Sequence, residues 1–149
     1  MGRIIFITGT DTGVGKTTAV YALALLLRAR GFSAGVMKPV QSGNKKHGDA
    51  HFLKKRLGLT DDIVEINPYS AREPISPHLA LKRAGIVFNR LKVLSAAGRM
   101  AAKYDFLLVE GAGGLLTPIT ESYSMADLAK DLGAEIIVVS RLGLGAINH

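Results

Sequence analysis

The stretch Gly9-Thr-Asp-Thr-Gly-Val-Gly-Lys-Thr-Thr18 has the residue types needed to hold phosphate. Gly13 and Gly15 let the backbone curl so that several N–H groups point inward. Those donors, with the N-terminus of a following helix, attract phosphate oxygens. Lys16 adds a point charge for β- and γ-phosphates, and Thr17 offers a hydroxyl to Mg²⁺. The general pattern G-x-x-x-x-G-K-[ST] puts its first glycine at position 10, where this chain has Thr10, with Gly9 one residue upstream. A chance glycine-rich turn is the bland account. It does not explain why an apolar run, Ile4-Ile-Phe-Ile7, precedes the loop and an apolar helical stripe follows Gly-Lys-Thr-Thr in register. ATP or a close relative is the expected ligand.

Three further residues are candidates for the same chemistry. Lys38 follows Gly35-Val-Met37 and precedes Pro39-Val-Gln-Ser-Gly43. It reads either as an exposed lysine at a strand end or as a compact charge that stabilises a transferring phosphoryl group. Glu110 ends Phe106-Leu-Leu-Val109 and is followed by Gly111-Ala-Gly-Gly114. That is the usual place for the acid that organises Mg²⁺, and the glycines suit a close approach to ligand. Asp49, in Gly48-Asp-Ala50, reads as a helix cap or as a second oxygen ligand for Mg²⁺. His47 and His51 flank Asp49, but no third nitrogen or sulfur ligand lies nearby, so zinc is not expected. His78 is expected to be structural.

The elements that must position these residues alternate. Apolar stretches at residues 3–8, 34–38, 105–110 and 135–140 read as buried strands. A helix is predicted from Lys16 to about Arg30, with Val20, Leu23, Ala24 and Leu27 on one stripe and Gly31 as its stop. Others are predicted near residues 49–57, 91–104 and 125–132, while Ile63 to Pro77 reads as an ordered loop or a short edge element. Such alternation implies an α/β fold with a mostly parallel sheet covered on both faces, whose strand C-termini share one edge. Ligands gather at that edge. Thr8-Gly9, Lys38-Pro39 and Glu110-Gly111 are all expected there.

A chain of 149 residues, 48% hydrophobic, fits one domain over residues 1–149 with a real core. No apolar run has the roughly 18 residues that span a bilayer, and no signal-peptide pattern precedes the first strand, so a cytoplasmic protein without membrane partners is expected. With no cysteine, disulfides and thiolate metal sites are excluded. The net charge of +7 is dispersed over Arg28, Arg30, Lys54 to Arg56, Lys82, Arg83, Arg90 and Lys92. These read as solvated helix faces, and nucleic acid is not an expected partner.

Taken together, Gly9 to Thr17, Met37-Lys-Pro-Val-Gln-Ser-Gly43, Gly48-Asp-Ala50, Asn67-Pro-Tyr69, Glu73-Pro-Ile-Ser-Pro-His78, Val109-Glu-Gly-Ala-Gly-Gly114 and Leu144-Gly-Ala-Ile-Asn-His149 closely resemble the dethiobiotin synthetase family. The match runs in order along the whole chain, and the GTDT-x-VGKT form accounts for the displaced first glycine. Deviant-loop ATPases of the Mrp and MinD kind carry a lysine before the paired glycines, where this chain has Asp11 and Thr12.

The resemblance implies a three-layer α/β/α P-loop NTPase fold. It also implies an ATP- and Mg²⁺-dependent ligase that closes the ureido ring of dethiobiotin from 7,8-diaminopelargonate and CO₂, through a carbamic-phosphoric anhydride. In that family pattern Lys38 and Lys16 are catalytic. Gly13, Val14, Gly15, Lys16, Thr17 and Thr18, with Glu110, Gly111, Ala112 and Gly113, line the ATP phosphates. Thr17, Asp49 and Glu110 organise Mg²⁺, and Ser42 contacts substrate. The family is a homodimer, and the Gly145-Ala-Ile-Asn148 turn of a second copy is expected beside the substrate carboxylate. Family members also continue past the position of His149, so this chain is expected to lack C-terminal strands and helices that complete the sheet and hold the adenine. Alternatives are a cobyrinate-synthetase-like ligase domain, a partitioning-type ATP switch, and a binding module that holds nucleotide without chemistry.

Overall fold

The computed structural model describes residues 2–43 and 48–148. Four strands, β1 (Arg3–Gly9), β2 (Ala34–Met37), β5 (Phe106–Glu110) and β6 (Glu135–Val139), form a parallel sheet in the order β2-β5-β1-β6. These match the four predicted strands within a residue or two, but β6 is not the buried strand expected: it lies at the edge of the sheet and Ile136, Ile137 and Val138 are exposed. Two-residue strands β3 (Val40–Gln41) and β4 (Tyr69–Ser70) pair in parallel as a separate small sheet. The helices are α1 (Lys16–Ala29), α2 (Asp49–Leu57), α3 (Ile63–Ile66), α4 (Pro77–Arg83), α5 (Arg90–Lys103) and α6 (Met125–Asp131). The result is a three-layer α/β/α fold of the P-loop type.

β1 and β5 have runs of Ile, Leu, Val and Phe on both faces because both faces are covered. Phe6, Ile7, Leu107, Leu108 and Val109 are all buried. α1 buries Val20 and Ala24 against the sheet, with Leu23 and Leu27 half-buried beside them, as the stripe predicted. α5 packs its small residues Ala96, Ala97 and Ala101 and the buried Met100 toward β5 and β2, which lets the helix approach closely. α6 starts in a capping box, where Ser124 and Asp127 satisfy each other's backbone N–H groups.

The segment from Ile63 to Pro77 holds more than a loop or edge element. It contains the single turn α3 and strand β4, and Pro77 opens α4, where its missing N–H and fixed φ are tolerated. Arg28 also departs from the expected solvated face. Its guanidinium donates to Leu57 O at 2.6 Å and Ala34 O at 3.0 Å, tying α1 to the end of α2 and to β2. Other basic side chains pair with carboxylates over the surface, among them Arg83 with Glu73, Arg90 with Asp131 and Arg99 with Glu65.

Candidate active site

The parallel register dictates what meets what. Ile7 of β1 faces Glu110 and Met37 of β2 faces Val109, so the residues that follow Met37 and Ile7 emerge on either side of Glu110. A cavity of about 730 Å³ opens there, bounded by the phosphate loop, Lys38, Gln41, Ser42, Asp49 and Glu110. Pro74 to Pro77 close its far wall.

The loop has the shape phosphate requires. Gly13 and Gly15 take φ of 74° and 103°, where an L side chain is strained. Gly15 is the N-cap of α1 and gives it no side-chain acceptor, leaving the first N–H groups of the helix unclaimed by any cap. Lys16 donates to the carbonyl of Asp11 at 2.7 Å and so lies across its own loop. Burial, reinforced by the neighbouring charge of Lys38, holds its pKa below the usual lysine range.

Lys38 is not an exposed strand-end lysine. Only 5% of it is accessible, and Nζ donates to Glu110 Oε1 at 2.6 Å and to Asp49 Oδ2 at 2.7 Å. Burial pushes its pKa down, but the two carboxylates outweigh that and keep it above the ordinary value. Glu110, at 1% exposure, also accepts from Thr17 Oγ1 at 2.9 Å. Asp49 is the first residue of α2, and its carboxylate faces Lys38 instead of capping the helix.

The donor set suits Mg²⁺. It offers a hydroxyl and two carboxylates, all oxygen, and Glu110 Oε2 is buried with no hydrogen-bond partner. Among the described residues, no group of three His, Cys, Asp or Glu side chains comes together. His51 is exposed, His47 lies outside the described residues, and His78 sits in the first turn of α4 with Glu121 as its nearest acid.

Not every predicted residue faces the cavity. Gly13, Gly15, Lys16, Thr17, Thr18, Ser42, Ala112 and Gly113 line it. The Gly111 N–H is already given to Ile7 O at 2.9 Å. Val14 lines a separate hollow of about 290 Å³ with Thr10, Asp11 and the tail residues 141–144 and 146. Gly145, Ala146, Ile147 and Asn148 lie in that tail and, within one chain, do not line the main cavity.

Two supporting residues carry no chemical signal in the sequence. The Asn67 carboxamide donates to Lys38 O at 2.6 Å and Tyr69 O at 3.1 Å, while the Lys38 N–H donates to Ile66 O at 2.7 Å. The backbone of Lys38 is thus clamped from both sides. Gln41 Oε1 accepts from the N–H of Ala50 at 3.2 Å, fixing the start of α2 and with it Asp49. The Asn-Pro-Tyr and Val-Gln-Ser motifs are where these roles could have been sought.

A family described as an AAA domain matches residues 3–149. The ATP-dependent dethiobiotin synthetase of Methanococcus vannielii is 42% identical over 98% of this chain and 68% of its own length. The chain belongs to the dethiobiotin synthetase family. The synthetase of Methanocaldococcus jannaschii is 43% identical over 98% of the chain and 69% of its own length. For that of Bacillus cereus the values are 44%, 97% and 61%. The chain therefore spans between three fifths and seven tenths of these dethiobiotin synthetases.

Proposed function

We propose that the protein is an ATP-dependent ligase of biotin synthesis, closing the ureido ring of dethiobiotin from 7,8-diaminopelargonate, CO₂ and ATP. The observation that carries this reading is the meeting of Lys38, Glu110, Asp49 and Thr17 beside the phosphate loop. The 42–44% identity to dethiobiotin synthetases supports the choice of reaction.

In this reading one substrate amine adds to CO₂ and loses a proton, giving a carbamate. A carbamate oxygen attacks the γ-phosphorus, the bond to the β-phosphate oxygen breaks, and ADP leaves. The second amine then attacks the carbamoyl carbon, loses its proton, and expels inorganic phosphate as the ring closes. No protein nucleophile is required. The work is positioning and neutralising charge that moves between carboxylate-like and phosphate oxygens.

Lys16 and Lys38 supply that neutralisation from a poorly hydrated pocket, where each charge counts for more than in water. Free N–H groups between residues 13 and 18, with Ala112 and Gly113, receive the phosphates, and the Ser42 hydroxyl orients the substrate. Thr17, Asp49 and Glu110 would hold Mg²⁺, which offsets phosphate charge when bound. The active form in this reading is a cytoplasmic homodimer, with the Gly145 to Asn148 turn of a second copy near the substrate carboxylate.

The test is incorporation of ¹⁴C-bicarbonate into dethiobiotin with 7,8-diaminopelargonate, ATP and Mg²⁺, for the unaltered chain and for Lys38→Ala. Label in dethiobiotin that falls about 10²–10³-fold in the variant, with ATP still bound, is expected. ATP hydrolysis that DNA or a protein stimulates, without labelled product, would move the protein to the switch class.

A further inference from the structure

Lys38 is engaged by both carboxylates of the cation site at once. Among the described residues no other side chain makes ion pairs with Asp49 and Glu110 together. A carboxylate oxygen has about two lone pairs to offer. Those of Glu110 Oε1 go to the Lys38 ammonium at 2.6 Å and the Thr17 hydroxyl at 2.9 Å. Mg²⁺ needs oxygen lone pairs aimed at it from about 2.0–2.1 Å, in near-octahedral order. The ammonium thus sits at the position that bridges the two acids, where a divalent ion held by both would also sit, and like charges so close repel.

We infer that Lys38 and the divalent cation are alternative occupants of one site, so that the metal enters by displacing the ammonium and turns the lysine out into the cavity. This rests on the nucleotide site proposed above. The fold needs a positive charge between these acids because Glu110 is almost fully buried, and an uncompensated carboxylate there is costly. Lysine meets that need with a point charge on a flexible stem, which can leave, whereas a planar guanidinium would hold both partners by fixed geometry.

The way in is visible too. Asp49 has 49% of its side chain exposed toward solvent while Lys38 has 6%, so exchange begins at Asp49 and ends at Glu110. Glu110 Oε2, buried and unpartnered, is the oxygen of that acid left open to the incoming ion. The cation then serves twice, as a ligand for phosphate and as the trigger that frees a lysine for the reacting oxygens.

Binding of Mn²⁺ without nucleotide, followed by electron paramagnetic resonance of the free ion, tests the exchange. Lys38→Met and Lys38→Gln are expected to bind Mn²⁺ at least roughly tenfold more tightly than the unaltered chain, since the competing charge is gone. The double variant Lys38→Met, Glu110→Gln is expected to lose that gain. Equal or weaker affinity in the single variants, or a gain that survives the Glu110 change, overturns the inference. Should the variants fail to fold, the unaltered chain labelled with ¹⁵N-lysine decides the matter. Its Lys38 ammonium signal is expected to shift and exchange faster with water on adding Mg²⁺, and an unmoved signal overturns the exchange. Binding of a fluorescent ATP analogue is scored separately. Tighter Mn²⁺ binding in a protein that ignores ATP upholds the exchange and removes the nucleotide reading.

Discussion

β1 and β6 are neighbours in one sheet, paired in parallel over Ile5 to Gly9, and their sequences are close kin: Ile4-Ile-Phe-Ile7 against Ile136-Ile-Val-Val139. Their surroundings differ. Every residue of β1 from Ile4 to Gly9 is buried, while Ile136, Ile137 and Val138 expose 49, 39 and 59% of their surface. Composition made both into strands, but only β1 has a strand on each side and helices over it. The polar cluster follows burial: Lys38, Glu110 and Thr17 meet at the covered half of the sheet, where the Lys38–Glu110 pair is buried.

The largest expected stability effect comes from breaking the covered half at its charge. Glu110→Ala should lower the unfolding free energy by about 3–5 kcal/mol, because Lys38 loses its buried partner and keeps only the half-exposed Asp49. Urea denaturation followed by circular dichroism measures it, and a loss under about 1 kcal/mol would mean water reaches the pair. Leu108→Ala, in the middle of β5 at 0% exposure, should cost about 2–5 kcal/mol through the cavity it leaves. The matched change on the open half, Ile137→Ala, should cost less than about 1 kcal/mol. Equal losses would show that β6 is covered in solution.

A smaller effect lies beneath β2. The Tyr104 hydroxyl donates to buried Asp61, which also pairs with Lys103 at 3.0 Å. Burial and that hydrogen bond raise the Tyr104 pKa from 10.0 to about 12. A raised pKa means the contribution is complete below pH 10 and fades as pH climbs through about 12. Asp61 is the opposite case. Burial works against its charge, but Tyr104 and Lys103 prevail and hold its pKa below 3.8, so its share is present above 3.8 and fades as pH falls through the lower folded value. Tyr104→Phe should cost about 1–3 kcal/mol at neutral pH and remove the alkaline fade, read from thermal unfolding across pH. The least effect belongs to Val138→Lys on β6: stability within about 0.5 kcal/mol of the unaltered chain, with reduced self-association in light scattering.

Much of this was legible in the sequence. The four long strands announce themselves as apolar runs, and their C-terminal residues, Lys38 and Glu110 among them, had to share an edge once the sheet was parallel. The direct contact of Lys38 with both acids was not legible. It depends on side-chain reach across 72 and 11 residues of sequence, which no spacing rule encodes. Strands of two residues, such as β3 and β4, are too short to show alternation, and prolines 68, 74 and 77 disguised the single turn α3 as loop, while the seven-residue α4 that Pro77 opens was not predicted. Asn67 escaped because its role is to bind backbone, and any turn asparagine looks alike until the carbonyl it serves is known.

The sequence distances inside the cluster also set a timetable. Thr17 and Glu110 lie 93 residues apart and Lys38 and Glu110 72, so neither contact can close before the chain between has crossed over and β5 has docked between β1 and β2. Loop closure over such lengths opposes early formation, whereas α1 or α5 can wind locally at once. During refolding, helical signal should therefore return first and nucleotide binding last, making ligand affinity a clock for the completed sheet.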